Sequence, residues 1–229
     1  LIAGVNMAGV EIDAYKLDPP VIGYVAKGSP AEAAGLLPGD LLLAIDGRPT
    51  PTWKEAEILV GTNPKESLRV DYRRNGEEKR SELKVAASTR YEIGYAGFYW
   101  PLPAEIDRVA PGYPAARAGL APGDVITAVD GRPLATYFEL ADVIRASPGK
   151  ELLLEYRRQG RTLSARLTPA AENGIGLIGF NVRVASARVQ YGPLAAVKNS
   201  FQEASRLVRL TFDAFRKIAQ RKLSVKSFS

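Results

Sequence analysis

The sequence contains no cysteine and no histidine. Without cysteine there is no disulfide framework and no thiolate chemistry. Without histidine there is no Ser-His-Asp triad and no His-ligated zinc within these residues. No catalytic residue, metal site or cofactor is therefore expected in this chain. Long apolar runs are also missing: nothing approaches the roughly 20 consecutive apolar residues a membrane-spanning helix needs. The opening Leu1–Val10 is apolar but short, and reads either as the stub of a transmembrane helix or as a buried strand. The chain starts at Leu1 rather than Met and stops at Ser229, so it reads as a fragment. No Arg-rich run interleaved with aromatics occurs, which argues against a nucleic-acid partner. What is present is ordinary for folded matter, 46% hydrophobic and 24% charged residues. The net charge of +6 is partly gathered at the end: from Lys198 onward eight Lys and Arg face only Glu203 and Asp213. That asymmetry suits an anionic membrane surface.

The most informative feature is an internal repeat. Residues 30–50, PAEAAGLLPGDLLLAIDGRPT, align with residues 114–134, PAARAGLAPGDVITAVDGRPL, at an offset of 84 and with 13 of 21 positions identical. The match resumes at Tyr72-Arg-Arg-Asn-Gly76 and Tyr156-Arg-Arg-Gln-Gly160. A period this long means two copies of one domain. In each copy Pro30 or Pro114 opens a short helix, where its missing N–H costs nothing, and Gly35 or Gly119 takes the left-handed position that ends it. Leu41–Ile45 and Val125–Val129 read as central strands, followed by Asp-Gly hairpin turns. Second helices are expected over Trp53–Val60 and Tyr137–Arg145. Hairpin strands follow at Leu68–Arg73 with Glu78–Val85, and at Leu152–Arg157 with Thr162–Leu167. Asp40 and Asp124, after Pro-Gly, read as turn or capping residues rather than catalytic carboxylates. The expected fold class is α+β, mainly β: two partly open β-barrels with two helices each, over residues 1–87 and 88–186. A C-terminal amphipathic helical region is expected over 187–229.

The pattern G-S-P-A-x-x-A-G-L-x-P-G-D, followed by an apolar run and D-G, resembles the PDZ domain in its bacterial, circularly permuted form, over residues from about 5 to 185. The segment Tyr191-Gly-Pro-Leu194, a helix, and the closing Leu223-Ser-Val-Lys-Ser-Phe-Ser229 resemble the bacterial site-2 proteases, intramembrane zinc metalloproteases with two periplasmic PDZ domains. The family's His-Glu-x-x-His motif and later Asp ligand are absent. The resemblance implies the extracytoplasmic, regulatory part of such an enzyme, membrane-tethered in the parent protein, with the zinc in a missing catalytic half.

PDZ domains bind a peptide as an added strand and hold its terminal carboxylate in an apolar-Gly-apolar loop of backbone N–H groups. The best matches are Ala8-Gly9-Val10 for copy one and Ile93-Gly94-Tyr95 for copy two. Trp53, Ala56 and Val60, with Tyr137, Leu140 and Ile144, are candidates for the apolar groove, or for the domain core. Tyr95, Phe98, Tyr99 and Trp100 form an aromatic cluster that reads as a lid, an inter-domain patch or plain core. In the tail, Phe201, Val208, Phe212 and Phe215 fall on one helical face with cationic neighbours, which suits a membrane surface or a partner helix.

The function implied is a substrate-gating and peptide-binding module of a site-2-type protease. Its expected partners are a substrate membrane protein or its cleaved C-terminus, the membrane surface and the membrane-embedded catalytic domain. The alternatives are the tandem PDZ region of a trypsin-like HtrA serine protease, or a non-enzymatic scaffold.

Overall fold

The computed structural model describes residues 10–88 and 92–189. They open with β1 (Val10–Asp13) and a single 3-10 turn (Ala14–Leu17). Copy one continues through β2 (Tyr24–Val25), α1 (Pro30–Ala33), β3 (Leu41–Ile45), β4 (Arg48–Pro49), α2 (Trp53–Gly61), β5 (Ser67–Arg74), β6 (Glu77–Lys84), β7 (Ala86–Ala87), β8 (Gly94–Tyr95) and β9 (Phe98–Tyr99). Copy two repeats that order as β10 (Ile106–Val109), α3 (Pro114–Arg117), β11 (Val125–Val129), β12 (Arg132–Pro133), α4 (Tyr137–Arg145), β13 (Leu152–Arg158), β14 (Arg161–Leu167), β15 (Ala170–Glu172), β16 (Ile175–Leu177) and β17 (Phe180–Val182). Last comes β18 (Ser186–Val189), which pairs antiparallel with β1, Val10 opposite Val189.

Each copy is built on a four-stranded antiparallel sheet, β4-β3-β5-β6 and β12-β11-β13-β14. The long hairpins turn at Asn75-Gly76 and Gln159-Gly160, all four residues at positive φ. Such two-residue turns match the right-handed twist of their strands. Along β5 the inward residues Leu68, Val70 and Tyr72 are buried and alternate with more exposed Arg69, Asp71 and Arg73. One face of the sheet thus meets the core and the other meets water.

Pro30 begins α1 behind Ser29, whose hydroxyl accepts the Glu32 N–H at 3.2 Å. The Glu32 carboxylate in turn accepts the Gly28 N–H at 2.6 Å, a reciprocal cap. Tyr113 stands at the matching position in copy two and makes no side-chain cap, so Pro114 sets that helix start.

The buried Asp40 accepts the Leu37 N–H at 2.8 Å and the Arg74 guanidinium through Nε and Nη2, both at 2.7 Å. Asp124 repeats this with Ala121 at 2.8 Å and with Arg158 at 2.6 and 2.7 Å. Each guanidinium also reaches the carbonyl of Gly35 or Gly119 and lies over the ring of Tyr72 or Tyr156. This clasp ties the Pro-Gly-Asp turn to the end of the central hairpin.

The first core gathers Ile22, Leu36, Leu42, Trp53, Val70 and Leu83, and takes in Ala96 and Phe98. The second begins at Ala104. Packing therefore divides the copies near Trp100–Pro103, later than the boundary at 87/88 drawn from the repeat. The expected C-terminal helix, including Phe201, Val208, Phe212 and Phe215, lies outside the described residues, as do Ala8 and Gly9.

Candidate functional site

In the first copy β8 pairs with β7, Gly94 opposite Ala87, and lies against the last turn of α2. A Cβ added to Gly94 would sit 1.9 Å from the Val60 carbonyl oxygen. Only glycine permits so close an approach of strand backbone to helix end. The chain then runs into β9, whose one edge is taken by β2, with Tyr24 opposite Tyr99 and Val25 opposite Phe98. Ile93-Gly94-Tyr95 is thus built into copy one, which corrects its expected assignment to copy two. Val10 sits in β1, paired with Val189.

The second copy holds the same cradle at a place sequence reading passed over. In β16, Gly176 lies opposite Ala171, and a Cβ there would meet the Ile144 carbonyl oxygen at 2.1 Å. The strand that follows, β17, pairs with β10 alone, so its second edge carries no strand among the described residues. The signal existed: Ile93-Gly-Tyr-Ala-Gly-Phe98 recurs as Ile175-Gly-Leu-Ile-Gly-Phe180. Its offset is 176 − 94 = 82 rather than 84, because copy two has a shorter connection into this strand.

The helix residues named from apolar spacing are mostly core. Trp53, Ala56 and Val60 are buried in the first domain, Leu140 and Ile144 in the second, while Tyr137 is half-buried. A helix in a two-layer domain commits its apolar stripe to the core. Off the buried stripe of α2, Glu57 accepts a hydrogen bond from the Tyr15 hydroxyl at 2.8 Å. Tyr137 meets Phe180 of β17 at 6.4 Å between ring centroids.

The aromatic cluster divides its roles. Phe98 is core and packs on Trp53 at 5.9 Å, and Tyr95 is exposed. Tyr99 and Trp100 join the two domains. Phe138 of α4 stacks on Tyr99 at 4.5 Å and on Tyr24 at 5.8 Å, and stands edge-on to Trp100 at 5.4 Å. The Tyr24 hydroxyl donates to Asp142, one turn further along the same helix. Burial, reinforced by the bond with Tyr95, pushes the Tyr99 hydroxyl up to about 12. Burial and the bond to Asp142 likewise raise that of Tyr24. Both hydroxyls therefore stay protonated at any ordinary pH. Beside this junction a cleft of about 470 Å³ opens between Tyr15, Trp53, Trp100, Leu102 and Val184. A second, also about 470 Å³, lies on copy two against Tyr113, Leu177, Phe180 and Asn181.

Among the described residues no group of three or more His, Cys, Asp or Glu side chains could hold a metal. No helix among them is long and apolar enough to cross a membrane.

The PDZ domain family matches the chain twice, over residues 21–74 and 105–158. The regulator of sigma-E protease of Escherichia coli is 30% identical over 220 residues, covering 87% of this chain and 49% of that protein. A putative zinc metalloprotease of Neisseria meningitidis is 33% identical over 158 residues, covering 66% of this chain and 35% of that one. The chain thus spans about half or less of the curated relatives it matches. Among solved structures, the PDZ domain of an SdrC-like protein from Listeria monocytogenes is 24% identical, covers 36% of this chain and 88% of that one, and has a TM-score of 0.32. The chain is a tandem of two PDZ domains, a PDZ region of the kind borne by bacterial site-2 proteases.

Proposed function

We propose that this chain is the extracytoplasmic substrate-gating and peptide-binding region of an intramembrane zinc metalloprotease that acts in regulated proteolysis of membrane proteins. The observation that carries the reading is the repeated cradle. In each copy a glycine strand is pressed onto the end of the second helix, Gly94 on Val60 and Gly176 on Ile144. A further strand leads from each cradle with only one edge paired among the described residues. A peptide added along the free edge gains main-chain hydrogen bonds, and its terminal carboxylate gains the backbone N–H groups of the loop. One strand and one anchoring side chain give a dissociation constant on the order of micromolar or weaker.

In this reading the module sits on the periplasmic side, tethered to the membrane-embedded catalytic domain that holds the zinc. Its partner is a substrate membrane protein or the C-terminus left by an earlier cut. The apolar positions Phe201, Val208, Phe212 and Phe215 face the membrane surface or the catalytic domain.

The test is a fluorescence titration of the folded 229-residue chain with a ten-residue peptide ending in Leu with a free carboxylate, and with its amidated twin. Carboxylate-dependent binding that disappears in Gly176→Ala supports the reading. Equal binding of both peptides, or none, defeats recognition of chain ends. Selection by size then remains, favoured by the Phe138 junction and the Tyr24–Asp142 bond, which fix one domain against the other.

A further inference from the structure

The two four-stranded sheets end in edge strands of opposite character. In the first sheet that edge is β6, Glu77–Lys84, where six of the eight residues are charged and both signs are mixed. Most of these charges are already held. Arg73 meets Glu78 at 3.1 Å, Arg80 meets Asp71 at 2.5 Å, Lys79 meets Glu77 at 3.1 Å, and Glu82 accepts from the Ser67 hydroxyl. A charged, hydrated rim of this kind keeps a sheet edge from pairing with another chain.

The second sheet ends at β14, Arg161–Leu167, without that protection. At the repeat offset Glu78-Lys79-Arg80 is replaced by Thr162-Leu163-Ser164. Only Arg161 and Arg166 are charged, and Arg166 is held by Glu151 at 2.9 Å. The strand contains no proline, and its pairing with β13 runs unbroken from Leu152 opposite Leu167 to Arg158 opposite Arg161, so no bulge turns the edge away. Arg161, Thr162, Leu163 and Ser164 are all exposed, Leu163 by 39%. No strand lies beyond β14 among the described residues. Seven residues at about 3.3 Å each make an open edge of roughly 23 Å, lined with backbone N–H and C=O groups.

This edge is complementary to itself. Two copies of β14 laid antiparallel about Ser164 put Leu163 opposite Ala165, Thr162 opposite Arg166 and Arg161 opposite Leu167. No charge then meets its like, and the core-side residues Leu163 and Ala165 fall on one face. A register one residue away sets Leu163 opposite Ser164, on the partner's water-facing side. The middle of the strand, Thr162–Ala165, is uncharged, so it suits a neutral strand such as its own better than an acidic one.

We infer that β14 is a homotypic interface, through which two copies of this chain pair edge to edge and join their second sheets into one of eight strands. One strand pair is small against the roughly 1,200–2,000 Å² that stable complexes bury, so its dissociation constant is on the order of 100 μM. The pairing is independent of peptide binding at the two cradles.

Sedimentation equilibrium of the 229-residue chain, from about 10 to about 500 μM, tests this together with amide-resolved NMR over the same dilution series. The expected result is a monomer–dimer equilibrium in which concentration shifts only the amides of 161–167 and their neighbours in β13. Leu163→Lys and Ser164→Arg write the residues of the first edge into exposed positions of the second. Each should weaken the pair by about tenfold or more and leave the thermal melt unchanged; either serves if the other does not fold. A chain that is monomeric throughout overturns the inference. So does a dimer that survives both substitutions, or one whose shifts fall at 77–84 or elsewhere outside β14. A monomer whose 161–167 amides respond instead to a ten-residue Asp/Glu-rich peptide assigns the edge to an acidic strand of another protein, and overturns the second copy as its occupant.

Discussion

Replacing Arg158 with Met removes the guanidinium of one clasp while keeping most of the stem volume. The Asp124 side chain is fully buried and that of Arg158 is 36% exposed. After the change the carboxylate keeps the Ala121 N–H and loses two bonds from Arg158, and the Gly119 carbonyl loses its donor. Stripping one partner from a fully buried pair costs about 3–5 kcal/mol. Because water reaches Arg158, the loss falls short of that range, even with the lost contact to the Tyr156 ring included. For a domain of this size that is a fall in Tm of roughly 10–20 °C. The first copy, whose Arg74 clasp is intact, is the internal control: calorimetry should show one transition moving and the other staying. The pH dependence fixes the cause. Burial alone pushes the Asp124 carboxyl up, but Arg158 and the Ala121 amide outweigh it and hold it below the usual range. A depressed folded pKa contributes stability that is present above the unfolded value, about 3.9, and lost as pH falls through the folded one. In the variant only the Ala121 amide still opposes burial, so protonation relieves more of the penalty and the gap to the parent should narrow from pH 7 to pH 4. A gap that does not change with pH, or a loss under about 0.5 kcal/mol, refutes the clasp as an electrostatic device.

Phe138→Ala removes the ring that meets Tyr99, Tyr24 and Trp100, each pair contributing about 0.5–1.5 kcal/mol beyond burial. Residual dipolar couplings should then lose the single relative orientation of the two domains while each keeps its own fold. An unchanged orientation tensor for the pair refutes a junction that depends on Phe138. At alkaline pH, burial raises Tyr99 to about 12, and Tyr15 and Tyr24 are also raised, burial again coming first. Stability from these groups is fully present below the unfolded value, about 10, and is lost as pH rises through the folded ones. Ultraviolet difference titration should show a late tyrosinate fraction that appears as the domain junction opens. All ten tyrosines ionising together near 10 contradicts the packing described.

The repeat made most of the fold legible. Pro-Gly-Asp, Asp-Gly and Asn-Gly are turn signals with mechanisms, and each bounds a strand within a residue or two of where it lies. α4 runs over Tyr137–Arg145 as expected, and β13 begins at Leu152. The domain boundary was less legible. The cradle strand of copy one closes its own core through Ala96 and Phe98 after an intervening loop, and apolar periodicity does not say which core a short strand joins. The groove was hidden for a related reason. Regular spacing picks out the stripe a helix gives to its core, so it selected Trp53, Ala56 and Val60, all of which the first core absorbs.

The two offsets separate what the copies share from where they part. An offset of 84 runs through the clasp, the central sheet and the second helix, which make the same domain twice. The cradle is kept too, but at 82, because Gly94 and Gly176 must meet the helix end whatever the length of the connection leading to them. The differences fall around these shared parts: Tyr15 against Tyr99, Trp53 against Tyr137, and Leu59, opposite Val143, with no counterpart to the ring of Phe138 at Lys54. Tyr15 packs on Trp100 and bonds Glu57 within copy one, whereas Tyr99, its match at the repeat offset, reaches from β9 onto Phe138 of copy two. The same position therefore packs within its own domain in one copy and across the junction in the other, so a duplicated domain supplies two unlike faces.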